Sequence, residues 1–81
     1  MLKKPINTEK AVNLAEYQKT LIFEVDLKDD KESIKKEFES RYNVKVLRVN
    51  TQIRNGKKYA YIKLDPSVNV IELANQLGMH V

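Results

Sequence analysis

Residues 50–64 read NTQIRNGKKYAYIKL and place Asn-Gly between two runs of side chains that favour β-strands. Asn-Gly is the strongest short signal for a two-residue type I′ turn, because both central residues of that turn need positive φ. The stretch therefore predicts a β-hairpin whose loop is Asn55-Gly56. It also contains four cations, two tyrosines and no acid, so it is the first candidate for a binding surface.

The turn predicts which side chains of the hairpin share a face. On one face the predicted pairs are Arg54 with Lys57, Gln52 with Tyr59, Asn50 with Tyr61, and Arg48 with Lys63. On the other they are Ile53 with Lys58, Thr51 with Ala60, Val49 with Ile62, and Leu47 with Leu64. The second face is mostly aliphatic and should meet the core. Like charges directly opposite each other destabilise a hairpin by up to ~1 kcal/mol a pair. Two such pairs on the first face therefore favour an anionic partner that neutralises them.

The charge of the chain is unevenly distributed. Residues 40–64 carry seven cations and no acid, whereas the other 56 residues hold eight lysines and eleven acids. Such a block of uncompensated cations indicates a polyanionic partner. The length of 81 residues and a hydrophobic content of 42 % predict one globular domain over residues 1–81, with a thin core.

The segments around the hairpin predict three helices and two further strands. The first helix should follow an extended start at residues 4–6, with a cap at Asn7 or Thr8, and run to about Tyr17. A half-buried strand should follow at residues 20–26. A second helix should begin at a cap on Asp29, and its buried stripe is formed by Ile34, Phe38 and Tyr42. The last helix should start at residues 65–67 and end at Gly78.

This order, β-α-β-α-β-β-α, predicts an α+β fold in which a small antiparallel β-sheet of about four strands is packed with helices.

The sequence contains no recognisable catalytic or metal-binding arrangement. The single histidine, His80, lies one residue from the end of the chain, where fraying is expected. Residues 29–32, DDKE, have the spacing of a helix cap and lack the glycine and ligand ladder of a calcium loop. There is no cysteine and no apolar run of about 20 residues. We therefore predict no enzyme activity, catalytic residue, metal, cofactor, small-molecule substrate or membrane insertion.

The chemistry of the cationic face suits RNA. Arginine and lysine neutralise phosphates, tyrosine rings stack on unpaired bases, and amides bond base edges and 2′-hydroxyls. Other interpretations remain open. The hairpin could have an ordinary wet face, on which Tyr59 and Tyr61 are packing residues. The protein could also be a free-standing protein–protein adaptor whose basic hairpin binds an acidic partner.

Several motifs resemble those of the universal large-subunit ribosomal protein number twenty-three family. Residues 5–11, PINTEKA, match P-x-x-[ST]-E-K-A, and residues 23–26, FEVD, match F-x-V-D. A helix with Ser33-Ile34-Lys35 follows, and then residues 44–51, VKVLRVNT, match V-K-V-x-x-V-N-T. Residues 57–64, KKYAYIKL, are similar to K-K-x-Y-[VI]-K-L with one residue more. The similarity covers nearly the whole chain, in the family's order.

The resemblance implies a structural constituent of the large subunit in the cytoplasmic ribosome, bound to large-subunit rRNA beside the polypeptide exit. It also implies a neighbouring ribosomal protein, number twenty-nine, and docking of signal recognition particle or other exit-site factors. The acidic residue of T-E-K is a chaperone contact in bacterial members, and this role would fall on Glu9. The two-residue loop Asn55-Gly56 resembles archaeal members, whereas bacterial ones carry a long basic loop that reaches into the tunnel.

The charge pattern and the resemblance point to overlapping positions of the hairpin. We predict RNA contacts at Arg48, Asn50, Thr51, Gln52, Arg54, Lys57, Lys58, Tyr59, Tyr61 and Lys63.

Overall fold

The computed structural model describes residues 2–6 and 8–77, and its seven elements follow the predicted order. The strands are β1 (Leu2–Pro5), β2 (Thr20–Val25), β3 (Val46–Arg54) and β4 (Lys57–Leu64). The helices are α1 (Glu9–Gln18), α2 (Lys31–Tyr42) and α3 (Val70–Gln76). The strands form one antiparallel sheet in the order β1-β2-β4-β3. The predicted α+β fold class is confirmed.

The β3–β4 hairpin turns where the sequence predicted. Asn55 and Gly56 both have positive φ, of 53° and 76°, as a type I′ turn requires. The cross-strand pairs run from Arg54 opposite Lys57 to Arg48 opposite Lys63. The turn therefore fixes the register of almost the whole hairpin.

The predicted pair of Leu47 with Leu64 is wrong. Val46 lies opposite Leu64 and Arg48 opposite Lys63, so β3 has one extra residue between them. Such a β-bulge shifts the side chains beyond it by one position. Val46 consequently takes the buried place, at 2 % exposure, while Leu47 is 50 % exposed.

The core lies between one face of the sheet and the helices. α2 contributes Ile34 and Phe38, both fully buried, and its partly buried Tyr42 packs against the same cluster. The rings of Phe23 and Phe38 meet edge to face with centroids 5.5 Å apart, a favoured aromatic geometry. The predicted stripe of α2 is confirmed. α3 adds Val70, Leu73 and Ala74, and α1 adds Ala15.

Strand β2 is buried on both faces, and the prediction of a half-buried strand is wrong. All six of its residues are buried, including Thr20, Ile22 and Glu24, which point away from the core. β2 lies between β1 and β4 in the sheet. Ile6 and Leu14, which precede β2 in sequence, line clefts above its second face. The residues that cover the second face of β2 thus lie outside the strand. The alternation of polar and apolar residues within the strand therefore did not reveal that this face is buried.

The first two helices begin at capping residues. Thr8 caps α1 by accepting a hydrogen bond from the Ala11 N–H at 3.2 Å. Asp30, and not Asp29 as predicted, caps α2 by accepting from the Ser33 N–H at 2.8 Å. Both caps satisfy an N–H group that the first turn of a helix leaves without a backbone partner.

Helix α3 begins later than predicted. Its cap is Asn69, because the Asp65 carboxylate accepts from the N–H and hydroxyl of Ser67 and holds residues 65–67 in a turn. The predicted stop at Gly78 and the predicted fraying at His80 fall outside the described residues.

Over residues 2–6 and 8–77, no helix combines the length and the apolar character that a bilayer crossing needs. The same residues contain no group of three or more histidine or acidic side chains placed to hold a metal ion.

Candidate nucleic-acid interface

The sheet face that points away from α2 and α3 collects most of the predicted RNA-binding residues. We call it the open face and define it by alternate residues of β3 and β4: Arg48, Asn50, Gln52, Arg54, Lys57, Tyr59, Tyr61 and Lys63. The period of two in a β-strand places them together. Only Thr51 and Lys58 of the predicted set lie on the core side of the hairpin.

The cations of the open face form no ion pair with an acid among residues 2–6 and 8–77. Arg48, Arg54 and Lys57 are exposed and Lys63 is half-buried. The ion pairs found within the described part of the chain involve none of the four. The register also sets Arg54 opposite Lys57 and Arg48 opposite Lys63. Each strand therefore adds to the positive potential of the other.

Two acids lie at the β1–β2 edge of this side of the sheet: Glu24 and Asp26, whose carboxylate is 3.4 Å from the Lys3 ammonium. Glu24 of β2 lies opposite Tyr59, with only 12 % of its side chain exposed. The Lys3 and Lys4 ammonium groups lie 3.9 and 4.0 Å from its carboxylate oxygens. Because two lysines of β1 flank it, Glu24 does little to offset the positive charge of the open face.

Helix α1 forms a wall beside the open face. A cleft of about 330 Å³, which we call the upper cleft, runs between this wall and the hairpin. Its lining residues are Ile6, Thr8, Lys10, Ile22, Gln52, Arg54, Tyr59 and Tyr61. It combines an apolar part, two half-buried tyrosines and a cation on each side.

A second cleft of about 310 Å³, the lower cleft, continues along the same groove. Its lining residues are Lys10, Leu14, Gln18, Thr20, Arg48, Asn50, Tyr61 and Lys63. Lys10 and Tyr61 line both clefts, so the two adjoin at these residues. The lower cleft has three cations in its lining, against two in the upper cleft.

Sequence reasoning missed Lys10. The open face was read from the hairpin alone, whereas Lys10 comes from a helix some 40 residues earlier in the chain. A signal does exist, since Lys10, Leu14 and Gln18 recur at four-residue spacing and share one side of α1. Leu14 of the same helix is half-buried and lines the lower cleft.

One tyrosine of the groove is held by its neighbour. The Tyr61 hydroxyl donates to Gln52 Oε1 at 3.0 Å. This hydrogen bond occupies one of the two lone pairs of the Gln52 amide oxygen, and the NH₂ group of this cleft-lining residue remains a donor. Tyr59 is half-buried in the same cleft. Both rings are therefore fixed by partial burial and still reachable from the groove.

Lys58 and Thr51 have different surroundings from the open face. The Lys58 ammonium donates to the backbone carbonyl of Asp29 and lies 3.5 Å from that of Leu27. It thus ties the β2–α2 loop to β4. Thr51 lies opposite Ala60 and is half-buried on the core side.

Glu9, the predicted docking residue, lies away from the lining of both clefts. It is exposed in the first turn of α1, directly after the cap Thr8. A carboxylate there interacts favourably with the positive end of the helix dipole. The position is therefore accessible to a partner and also suits the helix.

Comparison with known proteins supports an assignment to a family. Residues 1–73 match the family described as Ribosomal protein L23. The chain is 45 % identical over 78 residues to the large ribosomal subunit protein uL23 of Puccinia graminis, an alignment that covers 95 % of this chain and 49 % of that protein. The chain thus spans about half the length of this curated relative. It belongs to the ribosomal protein L23 family.

Proposed function

We propose that this chain is a structural constituent of the large ribosomal subunit in the cytoplasm and that it binds rRNA through the open face. The observation that carries the proposal is the clustering of four cations, two amides and two tyrosines on one side of the sheet, with no ion pair to these cations in the described part of the chain. Cations neutralise phosphates, and amides and aromatic rings contact bases and sugars. Family membership supports the same function.

The finer part of the proposal concerns the place of the protein in the subunit. It sits beside the polypeptide exit, next to ribosomal protein number twenty-nine, and helps to form the docking site for signal recognition particle or other exit-site factors. Two observations support the part of this proposal that concerns protein docking. The residues outside the 40–64 block are net acidic, and Glu9 is exposed beyond the cleft linings. Protein partners would then use surfaces that the RNA leaves uncovered.

Charge reversal at the hairpin tip tests the RNA-binding face. Arg54→Glu with Lys57→Glu should abolish binding to a large-subunit rRNA fragment, because it replaces two phosphate-binding cations with acids. Both side chains are exposed, so far-UV circular dichroism should stay native. The matched control is Lys31→Glu with Lys36→Glu, which makes the same charge change on the exposed side of α2. Equal loss of binding in both double variants would contradict a localised interface.

The salt dependence of binding gives an independent measure. If four to six cations meet phosphates, log K against log salt should have a slope of about −3 to −5. In Lys57→Ala the slope should become shallower by about 1. A slope near zero would contradict the proposal. If an acidic protein displaced the rRNA fragment at equal concentration, the cationic face would instead belong to a protein–protein adaptor.

A charge change at Glu9 tests the docking surface. Glu9→Lys should weaken binding of signal recognition particle to reconstituted subunits, because it reverses a charge at the proposed contact. rRNA affinity should not fall, since Glu9 does not line either cleft. Glu16→Lys, another exposed position on α1, is the matched control. Unchanged docking in Glu9→Lys would remove this residue from the surface.

A further inference from the structure

We propose that the upper cleft holds a single unpaired RNA base, stacked against the ring of Tyr59. This inference rests on the proposed function, because it names the part of the RNA that the open face recognises. Charge alone would describe the open face as a general phosphate-binding surface. The proposal adds a defined site for a base on this surface.

The shape and lining of the upper cleft suit one base. Its volume of about 330 Å³ lies at the lower end of the ~300–1,000 Å³ typical of small-ligand sites. Ile22 is 7 % exposed and, with Ile6, provides an apolar contact surface. Tyr59 and Tyr61 add half-buried aromatic rings. Unpaired bases stack on aromatic rings in this way in other RNA-binding proteins.

Several polar groups of the upper cleft can donate hydrogen bonds to a ligand. Lys10 and Arg54 can only donate. The Gln52 carbonyl oxygen accepts from the Tyr61 hydroxyl, and the NH₂ group of the same amide is a further donor. A ligand with ring nitrogens, carbonyls and a nearby phosphate matches this set, and a nucleotide has all three.

The neighbouring lower cleft can bind the RNA backbone next to the inserted base. It adjoins the upper cleft at Lys10 and Tyr61 and adds Arg48 and Lys63. These cations suit the phosphates on one side of the inserted nucleotide. A paired base cannot use the upper cleft, because its faces are stacked inside the A-form helix. The groove therefore fits a bulged or looped nucleotide.

The test compares three RNA stems that are identical except at one position: fully paired, with a one-nucleotide bulge, and with an abasic residue at the bulge. The bulged stem should bind roughly tenfold tighter than the other two, because only it offers a base for stacking. Tyr59→Ala should remove this preference while keeping the affinity for the paired stem, which reports that the protein is folded. Tyr59→Phe should restore the preference.

Tyr17→Ala is the matched control, since Tyr17 is an exposed tyrosine of α1 outside both clefts. It should keep the full preference for the bulged stem. A 4-thiouridine placed at the bulge should crosslink to the peptide that contains Tyr59. Equal affinity for all three stems, with a steep salt dependence, would overturn the base subsite and leave the RNA-binding face standing. If none of the stems bound at low salt, the subsite and the proposed function would both fail.

Discussion

Lys57 and Lys58 are adjacent in the chain but have opposite surroundings. Lys57 is exposed on the open face, opposite Arg54. Lys58 points to the core side, where its ammonium is bonded to the carbonyl of Asp29 in the β2–α2 loop. Successive side chains of a strand point to opposite faces of the sheet, so the two lysines lie on different faces and have different roles. Lys57 is available to a partner, whereas Lys58 contributes to the fold.

A pair of alanine variants should separate these roles. Lys57→Ala should weaken rRNA binding and leave the free energy of unfolding unchanged or slightly higher, because it relieves repulsion with Arg54. Lys58→Ala should lower the free energy of unfolding by about 1 kcal/mol through loss of the loop hydrogen bonds, with little effect on RNA affinity. Urea denaturation and RNA binding of the same preparations measure both. Equal loss of RNA affinity in the two variants would contradict the assignment.

At the scale of elements, local signals were predictable and non-local ones were not. The Asn55-Gly56 turn fixed the hairpin register, and the spacing of Ile34 and Phe38 identified the buried side of α2, because both signals lie within one element. The bulge at Leu47 was missed, since either Val46 or Leu47 can fill an aliphatic place opposite Leu64. Only packing against the rest of the core decides between them.

The candidate site shows the same difference between signals within one element and those that depend on packing between elements. Its residues on β3 and β4 follow from the register, so sequence reasoning placed them on one face. The wall formed by Lys10 and Leu14 could not be found in this way, because it depends on where α1 packs. Ile22 illustrates the consequence. It lies on the side of β2 that a half-buried strand would expose to solvent, but it is buried and lines the upper cleft.

The cap of α2 makes part of the stability depend on pH. The hydrogen bond from the Ser33 N–H to the Asp30 carboxylate lowers the pKa of Asp30. The stabilisation is therefore complete above the unfolded pKa of about 3.9 and is lost as the pH falls through the lower folded value. Wild type should exceed Asp30→Ala in stability at pH 7, and this difference should shrink in strong acid. A difference that stays constant down to pH 2, measured by urea denaturation, would contradict this role.

At the scale of the whole molecule, the sheet separates two environments. Its covered face carries the core residues of β2 and β4, such as Phe23 and Ile62, against the helices. Its open face concentrates like charges, which oppose folding slightly when no anion is present. The fold and its proposed ligand are thus coupled. An RNA that neutralises the open face binds only the folded form, so it should stabilise a domain whose core is small.

A core substitution makes this coupling measurable. Phe38→Ala should lower the free energy of unfolding by ~3–5 kcal/mol, a large part of the roughly 5–15 kcal/mol typical of domains. An rRNA fragment at 100 times its Kd should raise the free energy of unfolding by about 2.7 kcal/mol. The gain should be equal in wild type and in Phe38→Ala, because Phe38 is fully buried on the side of the sheet away from the open face.

Thermal unfolding with and without the rRNA fragment provides the measurement for both proteins. In Phe38→Ala combined with Arg54→Glu and Lys57→Glu, the fragment should no longer raise the midpoint, since the cations that bind it are reversed. Rescue that persists in this triple variant would mean that RNA stabilises the fold through a surface other than the open face.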